Sequence, residues 1–153
     1  HIELDAVNWQ PGWRGLNEHD PGEFLRRVET LVAGEAWVAC GNYGGVRAAV
    51  LARATHVVWL DYPRAVVMRR VLHRSFRRAF TGQELWPGTG NRETFGRWVD
   101  KEHPIRWAWD TYAGRKVRYG ALMDDPALAH LQRTRLTRPC DAPRLIERLA
   151  AGG

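Results

Sequence analysis

Two short apolar runs in the stretch Ala36–Arg64 constrain the fold more than any other feature of the sequence. The runs, Ala36–Cys40 and His56–Leu60, are rich in Val and Trp and are bounded by polar or turn residues, which is typical of strands buried on both faces. About 15 residues separate them, enough for a loop and a crossover helix but too many for a hairpin. The sequence therefore predicts a parallel β-α-β unit.

Polar residues follow each of these predicted strands. Gly41, Asn42 and Tyr43 follow the first, and Asp61-Tyr62-Pro63-Arg64 follows the second. In open parallel sheets, ligands bind outside the carboxyl ends of the strands, so both segments are candidate binding segments. They also have the composition of ordinary polar strand ends. Asp61 in particular has two interpretations, since it could face a metal-bound phosphate or cap the helix that follows it.

The rest of the chain predicts helices and strands in alternation. Asp20 is placed to cap a helix that begins at Pro21 and carries Glu23 in its first turn. Further helices are predicted at 46–52, 65–80, 92–100, 104–123 and 141–149, with further strands at 1–5 and 131–137. This alternation predicts an α/β layered fold with a parallel sheet of about three or four strands.

The length and composition indicate a single domain with no membrane span. The chain has 153 residues, 44% of them hydrophobic, and no apolar run of about 18 residues. Cys40 and Cys140 match no metal spacing, so we expect both to be free thiols and Cys40 to be buried and inert. Free thiols and the absence of a signal-peptide pattern together predict a cytoplasmic protein. The six His residues show no ligand spacing, so no protein-bound zinc is predicted. Because the chain begins with His1 rather than Met, we expect an upstream segment outside this sequence.

Arginine dominates the net charge of +6, since only two of the 23 basic residues are lysines. Six arginines fall within 15 residues that contain no acid: Arg64, Arg69, Arg70, Arg74, Arg77 and Arg78. On a helix, several of them share one face and repel one another, which favours either a polyphosphate clamp or a solvated basic face in about equal measure. A nucleic-acid interface is less favoured, because the tryptophans lie at apolar positions typical of a core: Trp37, Trp59, Trp107 and Trp109.

A resemblance to a known family rests on several segments taken in order. These are CGNYGGVR, RATHVVWLDYPR, RRVLHRSFRRAFTGQELW and GNRE, with WAWDTY and AHLQRTRL after them. Together they resemble the P-loop kinase-like proteins of the adenylate kinase or topology modulation protein type, from LDAVNW at Leu4 to the last helix. The resemblance implies a three-layer parallel sheet of the nucleoside-monophosphate-kinase type, with the first strand and P-loop missing here. It also implies one domain over 1–153 with an Arg-rich, lid-like insertion at about 65–100.

The same resemblance implies an ATP-dependent phosphotransferase that uses Mg²⁺ and acts on a nucleotide or another small molecule. The residues that match its acceptor site are Asp5, Trp9, Asn42, Tyr43 and Arg47. Those that match its arginine-rich lid, which would neutralise the transferring phosphate, are Arg74, Arg77, Arg78 and Arg92. The resemblance assigns Arg138 to ATP binding. The Gly-rich loop 81–91 could close over a substrate, or it is an ordinary loop.

Two departures from the family pattern affect the expected activity. The sequence contains no G-x-x-x-x-G-K-[ST] loop, so we expect this chain neither to bind ATP tightly nor to transfer phosphate as it stands. Cys40 occupies a position at which the family has Asp, and a thiol is a poor substitute near Mg²⁺. The alternative function is a non-enzymatic, kinase-like domain whose Arg-rich face binds nucleic acid or another polyanion.

Overall fold

The computed structural model describes residues 1–100 and 103–151, which divide into two compact units. The first unit comprises His1–Ala54 and Thr81–Glu93, and the second comprises Thr55–Phe80 and the described residues of Thr94–Gly153. The predicted insertion at 65–100 therefore contributes residues to both units. None of the helices in these described ranges has both the length and the apolar character that a membrane span requires.

Seven helices and six strands make up the described chain. The helices are α1 (Leu4–Asn8), α2 (Leu16–His19), α3 (Pro21–Val32), α4 (Gly44–Arg53), α5 (Arg64–Thr81), α6 (Pro104–Asp124) and α7 (Ala142–Ala151). The strands are β1 (Ile2–Glu3), β2 (Trp9–Gln10), β3 (Arg14–Gly15), β4 (Ala39–Cys40), β5 (His56–Leu60) and β6 (Gln132–Leu136). Short 3₁₀ turns occur at Pro11–Trp13, Phe95–Val99, Pro126–Leu128 and Pro139–Asp141.

The predicted three-layer parallel sheet is wrong. Over residues 1–100 and 103–151 the structure is 63% helical, and the strands there pair only two by two. β1 pairs with β4 and β5 with β6, both in parallel, while β2 and β3 are antiparallel. Only Ala39–Cys40 of the predicted strand Ala36–Cys40 forms a strand, and β1 stops at Glu3 because the chain turns into α1. Strands of two residues form too few ladder hydrogen bonds to build a wide sheet.

The predicted β-α-β unit is also wrong, because its two strands have other partners. Its two runs do not pair with each other, because β4 has β1 as its partner and β5 has β6. β5 keeps the predicted bounds, but its burial alternates between half-buried Val57 and Trp59 and exposed Val58 and Leu60. The expectation of burial on both faces is thus wrong, since in the described chain only one face of this strand is covered.

The core of the first unit is built on α3. Asp20 caps this helix as predicted, since its Oδ1 accepts a hydrogen bond of 3.0 Å from the backbone N–H of Glu23. Phe24, Val28 and Val32 recur at four-residue spacing and form one buried face, which packs against α4. The buried cluster also includes Ile2, Leu4 and Val46. This core fixes the positions of β1 and of the first turn of α4.

The carboxylate of Glu23 makes α3 sensitive to pH. It accepts hydrogen bonds of 2.7 Å from the Nε atoms of Arg26 and Arg27, and these bonds lower the pKa of Glu23 from 4.5 to about 2. A carboxyl with a lowered pKa in the folded state stabilises the fold above the unfolded value and loses this contribution as the pH falls towards 2. We therefore expect Tm to fall more between pH 4.5 and pH 2 in the unsubstituted protein than in Glu23→Gln.

Thermal melts followed by circular dichroism at several pH values measure this difference. Because the side chains of Arg26 and Arg27 are 66% and 42% exposed, the expected effect is small, and salt should reduce it. Equal losses of Tm in the two proteins would contradict the assigned role of Glu23.

The second unit is built from the β5–β6 pair and three helices. β5 and β6 are in register from His56 opposite Gln132 to Leu60 opposite Leu136. A small core forms behind them from Tyr62, Leu136 and Leu145. α5 nearly coincides with the prediction, and α6 starts at Pro104 and ends at Asp124, close to the predicted bounds. Of the predicted helix at 92–100, only the 3₁₀ turn Phe95–Val99 forms.

Candidate functional site

The carboxyl ends of β1 and β4 bring together four of the five residues predicted for the acceptor site. The two strands run in parallel with Glu3 opposite Cys40, so the residues that follow them emerge at the same edge. Asp5 lies two residues after β1, and Asn42, Tyr43 and Arg47 lie after β4. The core beneath β1 and α4 holds this edge in place.

Tyr43 and Asp5 form a direct hydrogen bond at this edge. The phenolic O–H of Tyr43 donates to Oδ1 of Asp5 over 2.5 Å. The Tyr43 ring also packs edge-on against Phe24, with ring centroids 5.1 Å apart. Burial and the Asp5 carboxylate both raise the pKa of Tyr43 well above its usual value, so the phenol stays protonated and remains a donor.

Asn42 and Arg47 flank the first turn of α4. Nε of Arg47 donates to Oδ1 of Asn42 over 2.8 Å. The N-cap residue of α4 is Tyr43, whose side chain does not cap the helix. A Cβ added to Gly44 or Gly45 would have no neighbour within 4 Å, so the first turn of α4 is uncovered at these two positions. A helix start and a guanidinium side by side favour an anionic ligand.

Cys40 lies at the same edge but is exposed, so the expectation of a buried thiol is wrong. It is the last residue of the two-residue strand β4, and no further strand covers it in the described chain. Partial burial and the charges of Glu3 and Asp5 raise the pKa of Cys40, which keeps the thiol protonated and weakly nucleophilic. Nε2 of His1 lies 3.2 Å from its Sγ. Both cysteines are free, as predicted.

Trp9, the fifth predicted acceptor residue, belongs to an aromatic cluster. Its ring stacks on Trp86 at 6.2 Å, and Trp13 meets both rings edge-on at 5.8 and 5.9 Å. Nε1 of Trp86 donates to Oε1 of Glu3 over 3.3 Å. Sequence reasoning missed Trp13 and Trp86. The signal available was the composition of the two loops, each of which has Trp beside Pro and Gly.

The Gly-rich loop is fastened to the N-terminal segment of the first unit. Asn91 is buried, and its side chain accepts from the backbone N–H of Trp13 at 3.0 Å and donates to the carbonyl of Gln10 at 2.9 Å. The Arg92 guanidinium donates to the carbonyl of Gly82, which closes the base of the loop. These bonds give Asn91 and Arg92 a structural role in an anchored loop.

The other predicted arginines lie in the second unit. Arg74 and Arg77 are exposed on α5, whereas Arg78 is half-buried. Arg138, predicted to bind ATP, forms a surface ion pair with Asp141, with Nε 3.2 Å from Oδ2. The structure therefore assigns Arg74, Arg77, Arg78 and Arg138 to a different unit from the acceptor-site residues and Arg92.

Asp61, for which the sequence left two roles open, forms a buried ion pair in the second unit. Its side chain is only 5% exposed and is paired with Arg135, whose Nε lies 2.9 Å from Oδ2 and whose Nη2 binds the same oxygen. Nζ of Lys116 lies 3.5 Å from Oδ1. Arg135 also lies over the Trp59 ring, at 4.6 Å from its centroid. The alternating pattern of β6 predicted a strand but not this pairing.

Comparisons with known proteins found no match for this chain, whether among family models, curated proteins or solved structures. The kinase-like function and its expected substrates thus stay predictions from the sequence motifs. Within residues 1–100 and 103–151, no three His, Cys, Asp or Glu side chains are grouped as metal ligands.

Proposed function

We propose that this chain binds the phosphate acceptor of an ATP-dependent phosphotransferase at the edge formed by β1 and β4. The observation that supports this most directly is the grouping of Asp5, Asn42, Tyr43 and Arg47 there. Asp5 lies 38 residues before Tyr43 in the sequence, and the parallel pairing of two short strands brings it to the segment that holds the other three. ATP and Mg²⁺ are the expected co-substrates by resemblance, and a cytoplasmic location likewise stays a prediction.

Asp5 supplies a carboxylate that can accept a hydrogen bond from the hydroxyl of a phosphate acceptor. An ionised carboxylate has about four lone-pair sites, so Asp5 can accept from Tyr43 and from a ligand hydroxyl at the same time. The fixed bond from Tyr43 orients the carboxylate before a ligand arrives. In phosphoryl transfer the protein mainly positions the reactants and stabilises charge, and a carboxylate facing the attacking hydroxyl contributes to both.

Arg47 and the open first turn of α4 supply the matching site for an anion. The guanidinium is planar and has five N–H donors, of which the bond to Asn42 uses one. A ligand that satisfies both halves of the edge carries a hydroxyl and a phosphate, and nucleoside monophosphates have both. We therefore expect binding of a nucleoside monophosphate to exceed binding of the corresponding nucleoside.

The test is isothermal titration of the chain with nucleoside monophosphates and with nucleosides. Arg47→Gln removes the charge-assisted bond to phosphate, so we expect monophosphate affinity to fall by about tenfold or more. Nucleoside affinity should stay unchanged. The matched control is Arg14→Gln, which removes an exposed arginine of the same unit. Equal affinities for the two ligand classes, or no effect of Arg47→Gln, would refute the proposal.

One observation favours the second candidate function, a non-enzymatic polyanion binder. The exposed arginines of α5 include Arg69, Arg70, Arg74 and Arg77, and no acid occurs between Tyr62 and Gln83. Such a surface binds polyanions with an affinity that falls steeply with salt and needs neither Mg²⁺ nor a mononucleotide. The acceptor-site proposal instead predicts binding that depends on a mononucleotide and on Mg²⁺, so ligand choice and salt dependence separate the two functions.

A further inference from the structure

The solvent face of α5 exposes aromatic rings as well as arginines. Phe76 and Phe80 are 56% and 78% exposed, and their rings are stacked with centroids 6.2 Å apart and planes 10° apart. Phe95, which is 50% exposed, meets the Phe76 ring at 6.0 Å. We call these three residues the aromatic strip. Large exposed rings in contact with one another are typical of a binding surface.

The strip lies on the same helix face as several basic residues. Phe80 follows Phe76 by four residues, and Arg69 precedes Phe76 by seven, so the three share one side of α5. His73 and Arg77 are also exposed and lie beside them on the helix. The buried face of α5 is the opposite one, which carries the fully buried Ser75. The aromatic rings and the basic side chains thus lie together on a single open surface of α5.

Tryptophans elsewhere in the second unit are exposed too. Trp107 and Trp109 are 48% and 53% exposed, so the expectation that they form core is wrong. Each ring faces an arginine, with the Arg115 guanidinium carbon 4.3 Å from the centroid of Trp107 and that of Arg64 3.8 Å from the centroid of Trp109. The main objection to a nucleic-acid interface, that the aromatics are buried, therefore does not hold for Trp107 and Trp109.

We infer that the aromatic strip and its arginines bind single-stranded nucleic acid, with bases stacked on the rings and phosphates paired with Arg69 and Arg77. Every base has a flat face that stacks on an aromatic ring, and arginines track the backbone. A second copy of this chain fits less well, because it would bring two sets of arginines together. An acyl chain could pack on the rings but would leave the arginines without an anionic partner. The inference sharpens the second candidate function and is independent of the acceptor site.

The experiment is fluorescence anisotropy with a short labelled oligothymidylate, compared with inorganic polyphosphate as a competitor that has no bases. Phe80→Ala should weaken oligonucleotide binding by about tenfold and leave polyphosphate binding unchanged. The control, Ile146→Ala, truncates another exposed apolar residue, on α7, and should change the affinity for neither ligand. Phe80→Trp should retain binding, and oligonucleotide should quench its added emission.

Charge is tested separately. Arg77→Gln should weaken both ligands and reduce the slope of log affinity against log salt by about 0.7, whereas Arg144→Gln on α7 should not. If Phe80→Ala and Phe76→Ala bind the oligonucleotide normally while Arg77→Gln does not, the stacking inference fails and the polyanion binder stands. The stacking inference and the polyanion-binding function both fail if neither the oligonucleotide nor polyphosphate binds. The inference would also be overturned if the protein formed dimers that the Phe80→Ala substitution dissociates. Binding to anionic vesicles in place of the oligonucleotide would overturn it as well.

Discussion

Replacing Phe24 by Ala is expected to lower the free energy of unfolding of the first unit by about 4 kcal/mol. Phe24 is 2% exposed and packs within the cluster that includes Val28, Val32 and Val46. Truncation removes the buried ring and leaves a cavity that neighbours on two helices cannot fill, and both effects destabilise the fold. Chemical denaturation followed by circular dichroism measures the loss.

The same substitution should also weaken ligand binding at the β1–β4 edge, because the Phe24 ring supports the Tyr43 ring. Phe24→Leu is the matched control, since it keeps most of the apolar volume and should cost roughly half as much stability. A loss of less than about 1 kcal/mol for Phe24→Ala would show that this cluster is not the core of the first unit.

Replacing Arg135 by Met is expected to cost about 3 kcal/mol, which is the second-largest effect. The substitution leaves the buried Asp61 carboxylate with Lys116 as its remaining cationic partner, at 3.5 Å. A buried charge that loses its main partner is costly because water cannot replace the lost hydrogen bonds. We place the cost at the lower end of the usual range because the Arg135 side chain is 49% exposed.

Two controls separate the buried ion pair from a general effect of removing arginine. Arg138→Met breaks an ion pair on the surface of the same unit, with Asp141, and should leave stability unchanged within error. The double variant Asp61→Asn/Arg135→Met removes the uncompensated charge and should recover part of the loss. If Arg135→Met and Arg138→Met unfold at the same denaturant concentration, Asp61 does not depend on Arg135.

Local sequence signals predicted several elements well. α3, β5, α5 and the start of α6 were all recognisable, because each depends on residues close together in the chain. A capping side chain, a proline in the first turn and apolar residues at helical spacing are read within one or two turns. β5 was delimited by polar neighbours and by its Val and Trp content.

Other features depend on contacts between distant segments, and sequence reasoning failed on them. The strand pairing, the burial of only one face of β5 and the exposure of Cys40 all follow from which strand lies beside which. A short apolar run has the same composition whether one face or both are covered. The Trp9–Trp13–Trp86 cluster joins loops that lie more than 70 residues apart, and the composition of each loop does not show that the two meet.

By itself, the sequence determined where the main helices begin, where β5 lies, and which polar residues follow β4. It also determined that six arginines occur without an acid around α5. Only the tertiary structure decided that Asp5 and Tyr43 meet, that Asp61 pairs with Arg135, and that the rings of α5 face solvent. The physical reason is that helix formation depends on neighbours within a few residues, whereas strand pairing, ion pairing and burial depend on segments that folding brings together from far along the chain.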